Sequence, residues 1–164
     1  MSSAPEPLPP AAQRVQDALI ALGRPYVVRQ LDRSTRTAAE AAQAVGCQVG
    51  QIAKSLVFRG QTTGSPVLAI ACGANRVSEA RLADLLGEPV ERASPEFVRE
   101  TTGFAIGGVP PLGHAAALPI YIDEDLLQFD VIWAAAGTPH AVFPLPPGDL
   151  PALTGGQVAA LRAG

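Results

Sequence analysis

Apolar residues recur at helical spacing near the start of the chain. Val15, Ala18, Leu19 and Leu22 share one face of a helix predicted over 11–22, and Gly23 stops it. Over 26–31 the pattern changes to alternation, which predicts a strand. Thr37-Ala38-Ala39-Glu40 has the form of a capping box, in which hydroxyl and carboxylate satisfy free N–H groups of a first helical turn; Gly46 closes that helix. Two apolar runs, 56–59 and 67–72, flank the turn-rich stretch 60–66 and predict a hairpin. Ser78 caps a short helix ending at Gly87, and Ser94 caps another, with Pro95 at its first position and Gly103 past its end. A short buried strand is predicted over 104–106. Further strands are predicted over 120–122, 131–135 and 141–143, the last following the turn Gly137-Thr138-Pro139, and a short helix over 149–153. Helices mix with hairpin-like strands without regular βαβ alternation, and no Gly-rich dinucleotide or phosphate-loop fingerprint is present. The pattern predicts an α+β domain around a curved mixed sheet.

Composition narrows this. A chain of 164 residues with 48% hydrophobic positions fits one folded domain, expected over 11–164 behind a flexible Ser/Ala/Pro tail at 1–10. No apolar run approaches the ~18–20 residues of a spanning helix, and the tail lacks the basic and apolar regions of a signal peptide. No membrane partner is expected. Two cysteines, Cys47 and Cys72, supply neither a disulfide framework nor a four-ligand zinc site. No metal or cofactor is expected, and a reducing cytoplasm is the expected compartment. Charge is uneven: residues 1–122 carry 11 basic and 10 acidic side chains, residues 123–164 one basic and 5 acidic. That balance is too acidic for a grip on duplex DNA. Arg14, Arg24, Arg29, Arg33 and Arg36 are opposed locally only by Asp17 and Asp32, which makes either a modest basic patch or an ordinary solvated surface.

Two segments stand out chemically. The chain has 11 arginines but a single lysine, Lys54, within Gln51-Ile52-Ala53-Lys54-Ser55-Leu56-Val57-Phe58. A compact ammonium where arginine is the habit fits a site too narrow for a planar guanidinium; a lysine snorkelling at a strand entrance fits as well. In Gly103-Phe104-Ala105-Ile106-Gly107-Gly108-Val109-Pro110-Pro111-Leu112-Gly113-His114, paired glycines permit positive φ and present successive N–H groups, while the prolines stiffen the exit. Such N–H groups form an oxyanion hole or anion nest, or simply a tight loop. His114 and His140 have no Ser or Cys nucleophile in a recognisable setting. Cys47 and Cys72 read as core or half-buried thiols, and Asp123-Glu124-Asp125 as a turn and helix start.

These two segments, with Ile132-Trp133-Ala134-Ala135-Ala136-Gly137, resemble the YbaK/ProX family of freestanding aminoacyl-tRNA editing domains, relatives of the editing insertion of bacterial prolyl-tRNA synthetases. The likeness runs from about residue 12 to 161. It implies a barrel-like curved sheet flanked by helices, and hydrolysis in trans of a mischarged tRNA, with tRNA for proline the expected one and the tRNA 3′ end and prolyl-tRNA synthetase as partners. The family's functional lysine falls on Lys54 and its backbone-donating glycines on Gly107 and Gly108. Its third pocket wall falls near Ala135, Ala136 and Gly137. Cysteinyl-tRNA deacylases of the family carry serine at Pro110, Ser-Gly-Gly at 135–137, a basic pair at 138–139 and a polar aromatic residue at Leu31. The pocket here is therefore less polar, and alanine or 2-aminobutyrate becomes at least as good a substrate side chain as cysteine, with serine and threonine still open. Steric exclusion of proline is expected from Ile106, Val109, Pro110 and Ala135, and phosphate contacts from Arg14, Arg29, Arg33 and Arg36. The competing expectation is a non-catalytic module of the same fold that binds an RNA end or a synthetase.

Overall fold

The computed structural model describes residues 7–163. Of the expected tail, residues 1–6 lie outside this range, and Pro10 already begins a helix. In chain order the elements are α1 (Pro10–Ala21), β1 (Arg29–Gln30), α2 (Ala38–Val45), β2 (Ile52–Gly60), β3 (Pro66–Cys72), α3 (Glu79–Leu86), β4 (Val90–Arg92), α4 (Pro95–Thr102), β5 (Ile120–Asp123), β6 (Ile132–Ala135), β7 (Ala141–Leu145), α5 (Leu150–Thr154) and β8 (Gln157–Ala159). Three short 3₁₀ turns punctuate them. The capping residues act as the sequence predicts: the hydroxyls of Thr37, Ser78 and Ser94 accept from the N–H groups of Glu40, Arg81 and Phe97.

The strands form one mixed sheet in the order β1-β7-β6-β2-β3-β5-β8, with β4 paired to β2 beside that path. It does not close, so the expected barrel-like core is a curved open sheet. Alternation along β2 and β3 feeds two cores. Ala53, Val57, Leu68, Ile70 and Cys72 join the main one, with α1 and Phe143, while Phe58, Val67 and Ala69 join a second one with Leu82 and Leu161.

β2 is the pivot. One edge pairs with β3 from Ala53 to Arg59. The other edge is shared by two strands that diverge: β6 takes Ile52 and Ala53, and β4 takes Phe58 to Gly60. Between them, Lys54 to Val57 have no strand partner on that side, apart from the Val57 carbonyl accepting from the Ala93 N–H (3.3 Å). On the β3 side, Gly60 donates to Ser65 and Ile52 accepts from Gly73, so even-numbered residues face β3. The N–H and C=O of Ser55 therefore face the gap.

Two predicted strands are replaced. Over 26–31 only Arg29 and Gln30 join the sheet, because the Gln16 side chain bonds the Tyr26 carbonyl (3.1 Å) and the Val28 N–H (2.8 Å) and so satisfies that backbone without a neighbour strand. At 104–106 the buried apolar residue, Phe104, is held by the Thr102 hydroxyl accepting from its N–H (3.1 Å), and the chain turns at once. The pairings of β4 and β8, both three residues long, had no pattern strong enough to announce them.

Candidate functional site

A cavity of about 370 Å³ opens where β6 and β4 part from β2. Its floor is the unpaired stretch of β2, with Trp133 and Ala135 of β6 on one side and Arg92 of β4 on the other. Its rim comes from two loops, Thr35 to Thr37 before α2 and Ile106 to Val109 after α4. The lining is mainly apolar. Its charged side chains are Lys54, Arg36 and Arg92, and no carboxylate is among the lining residues. The size suits a small-molecule site.

Lys54 is the third residue of β2 and half-buried. Its Nζ donates to the Asn75 carbonyl at 3.2 Å. Desolvation lowers its pKa below the ordinary lysine value, and repulsion from Arg92 adds to this; Cys72 and Asp123 pull the other way. An ammonium has three donors, so two remain for a ligand.

The loop over 105–108 is a tight turn closed by the Gly108 N–H on the Ala105 carbonyl (3.1 Å). Gly107, its third residue, has φ +94°, a conformation that favours glycine, and Arg36 packs its stem over it. Gly107 lines the cavity, whereas Gly108 is buried and its amide is committed to the turn. Of the expected pair of donors, the Gly108 amide is thus spent on the turn, and Gly107 alone is among the residues that line the cavity. Gly108 also accepts from the Gly137 N–H (2.8 Å), and a Cβ on Gly108 would lie 2.8 Å from the backbone of Gly137 and Thr138. Gly137 in turn abuts Ala11 of α1, whose carbonyl oxygen would stand 2.5 Å from an added Cβ. Two loops and a helix therefore lock the turn.

Of the expected site residues, the cavity gathers Lys54, Gly107, Ile106, Val109, Ala135 and Arg36. Pro110, Ala136 and Gly137 are buried, and Leu31 is half-buried with its N–H on the His140 carbonyl (2.7 Å); none of the four lines the cavity. Arg14 stacks on Phe104 (4.3 Å) and donates to the Gly103 carbonyl (3.2 Å). Arg29 stacks on Trp133 (5.0 Å), a cavity wall. Arg33 is exposed, and its carbonyl pairs with His140 Nδ1 (3.0 Å). Neither histidine lines the cavity. His114 Nε2 donates to the Pro110 carbonyl (2.7 Å), and burial depresses its pKa. Burial raises the pKa of both thiols, with Cys72 donating to the Gly50 carbonyl. Among the described residues no group of His, Cys, Asp and Glu is placed to hold a metal ion, and no helix is long and apolar enough to cross a membrane.

Sequence reasoning missed Thr35, Ser55, Arg92 and Trp133 as lining residues. The hydroxyls of Thr35 and Ser55 are buried without a hydrogen-bond partner among the described residues. Ser55 follows Lys54 directly, and that adjacency was the one available signal. Thr35 and Arg92 reach the site only through the tertiary fold.

The fold and cavity define an α+β domain with a cation-bearing, mainly apolar pocket at a split in its sheet. The profile of the aminoacyl-tRNA editing domain matches residues 32–153, and the chain belongs to that family. A solved structure described as "a putative trans-editing enzyme for prolyl tRNA synthetase" superposes with a TM-score of 0.90 at 54% identity, over 96% of this chain and 100% of that one. The uncharacterized protein YwhH of Bacillus subtilis (strain 168) is 32% identical over 123 residues, 75% of this chain and 78% of its own. The "Putative Cys-tRNA(Pro)/Cys-tRNA(Cys) deacylase EbsC" of Enterococcus faecalis (strain ATCC 700802 / V583) is 33% identical over 124 residues, 75% of each chain.

Proposed function

We propose that this protein hydrolyses, in trans, the ester of a mischarged tRNA, namely tRNA for proline carrying a small residue such as alanine, cysteine or 2-aminobutyrate. The observation that carries this reading is that Lys54 and Gly107 line one cavity. Family membership and the names of the similar proteins support the reaction class and the link to proline.

An aminoacyl ester is activated, so a site without a side-chain nucleophile suffices. Lys54 holds a phosphate or ribose oxygen of the 3′ end and adds positive potential beside the reacting carbonyl. The Gly107 N–H donates to the carbonyl oxygen and strengthens its bond as that oxygen becomes an oxyanion. Water adds to the carbonyl carbon. The intermediate collapses with loss of the ribose oxygen, which takes up a proton relayed through the neighbouring ribose hydroxyl. The products are free amino acid and uncharged tRNA. For a cysteinyl ester the substrate's own thiol can attack first, expelling the ribose oxygen and forming a cysteine thiolactone that water then opens to the free amino acid. The hydroxyls of Thr35 and Ser55 supply polar partners for the aminoacyl group. Ile106, Val109 and Ala135 form the wall that excludes proline, and Leu31, Pro110, Ala136 and Gly137 support it. Arg36 at the rim, with Arg29, Arg33 and Arg14, serves the phosphates of the acceptor end, and prolyl-tRNA synthetase is the source of the mischarged substrate.

The test is deacylation by purified protein of tRNA for proline charged with alanine, cysteine, serine, threonine, 2-aminobutyrate or proline. Hydrolysis of small residues with proline spared is expected. Binding of the charged tRNA without accelerated ester loss on any of them overturns the enzymatic reading in favour of a binding module.

A further inference from the structure

Outside the cavity, a connected polar cluster lies where β3 and β5 end. Asp123, at the end of β5, is 1% exposed. Its Oδ2 accepts from the Cys72 N–H (3.1 Å) and from Asn75 Nδ2 (3.0 Å), and its Oδ1 accepts from the Asp125 N–H (3.0 Å). Asn75 Nδ2 also donates to Asp125 Oδ2 (2.7 Å), so both amide hydrogens are taken. The Asn75 N–H closes the turn onto the Cys72 carbonyl (2.9 Å). The far side of this turn is held by the last residues of the chain, through the Ala163 N–H on the Arg76 carbonyl (2.8 Å) and the bridge of Val77 to Arg162. One group of the clamped residue points elsewhere: the Asn75 carbonyl accepts from Lys54 Nζ.

We propose that Asn75, clamped by Asp123 and Asp125, is the positioning residue for the Lys54 ammonium, aiming its two remaining donors into the cavity. A lysine stem has four rotatable bonds and snorkels readily toward water. Fixing one of its three donors on a rigid carbonyl restricts the directions of the other two. Asp123 places a carboxylate near an ammonium that otherwise has Arg92 of β4 and the Cys72 thiol of β3 as its titratable neighbours. The inference rests on the proposed role of Lys54, but its test does not depend on activity.

Lys54 is the chain's single lysine, so protein labelled with 13Cε-lysine gives one lysine side-chain signal. In Asn75→Ala the signal is expected to gain mobility in 13C relaxation, with kcat for an alanylated tRNA reduced about ten- to hundredfold and KM nearly unchanged. In Asp123→Asn the Lys54 titration is expected to move to lower pH, because a charge that favours the ammonium is gone. Should Asp123→Asn not fold, Asn75→Ala carries the test. A Lys54 signal with wild-type mobility in folded Asn75→Ala overturns the proposal, whatever happens to kcat. A Lys54 signal altered as expected in a protein without deacylase activity upholds the clamp and overturns the functional reading instead.

Discussion

Replacing Gly108 by alanine tests how the turn over 105–108 is held. Gly108 has no positive φ, so the substitution adds no backbone strain of its own. Its Cβ would arrive 2.8 Å from three backbone atoms, the Gly137 carbonyl carbon and the N and Cα of Thr138. Backbone cannot rotate away as a side chain end does, so the two loops must separate by several tenths of an ångström. Separation stretches the Gly137 N–H bond to the Gly108 carbonyl, now 2.8 Å. Overpacking of this kind costs about 1–3 kcal/mol. At the sensitivity of a chain of this size, that lowers the Tm by about 2–12 °C. The turn carries Gly107, so under the proposed role of its amide the displacement also costs activity, a shift near 1 Å being worth up to ~10²-fold in rate. Gly148→Ala is the control, because a Cβ there meets nothing within 4 Å. Thermal melts and single-turnover deacylation of an alanylated tRNA read both effects. If Gly108→Ala melts and turns over like Gly148→Ala, the close approach of the two loops does not hold the turn and the argument is refuted.

Lys54→Ala is expected to cost ~10²–10³ in deacylation rate, and Lys54→Arg to rescue little, since a guanidinium cannot take the same place beside the Asn75 carbonyl. Lys54→Met should melt no lower than wild type at pH 7: a lysine pKa lowered by folding means the ammonium opposes folding until pH rises past that pKa; a clear drop in Tm contradicts the desolvation. His114, whose pKa burial depresses, should make the protein less stable as pH falls below ~6.5, because the unfolded chain takes the proton first. Urea unfolding at pH 7.5 and 5.5 should show a loss no steeper than ~1.4 kcal/mol per pH unit from this one group, and smaller in His114→Gln; identical pH dependence in both proteins rejects it. Thr35→Val removes a buried hydroxyl that has no partner among the described residues, so the Tm should hold or rise while KM for the charged tRNA increases; a falling Tm would mean the hydroxyl is already paired.

Much of this was legible in the chain because local chemistry wrote it. Thr37, Ser78 and Ser94 announce their helices, since a cap acts within one turn of sequence. The hairpin of β2 and β3 follows from two apolar runs separated by a turn. Lys54 stood out by composition, and the Gly107-Gly108 turn by the only residue type that tolerates its backbone. What the pattern could not carry was satisfaction at a distance. The Gln16 side chain replaces a neighbour strand for residues 26–28, a substitution that periodicity does not register. The same holds for Gly108: the sequence offers two equivalent amides, and only the Ala105 carbonyl decides that one of them is spent on the turn.

The cavity shows why its other members stayed hidden. It exists because β6 and β4 claim the two ends of one edge of β2 and leave the middle unclaimed. Unpaired strand edge is ordinarily a liability, since its N–H and C=O groups invite another chain. Here the gap is walled by Trp133 and Arg92 and rimmed by two loops, so it forms a cavity instead of a free edge. The unpaired edge, the hydroxyl of Ser55 without a partner among the described residues and the partly desolvated ammonium of Lys54 are three separate costs, gathered within Lys54 to Val57. A polar, anionic ligand that donates and accepts hydrogen bonds relieves all three at once. The charged 3′ end of a tRNA has that chemistry: phosphate oxygens for the ammonium, and an amine, a carbonyl and ribose hydroxyls for the edge.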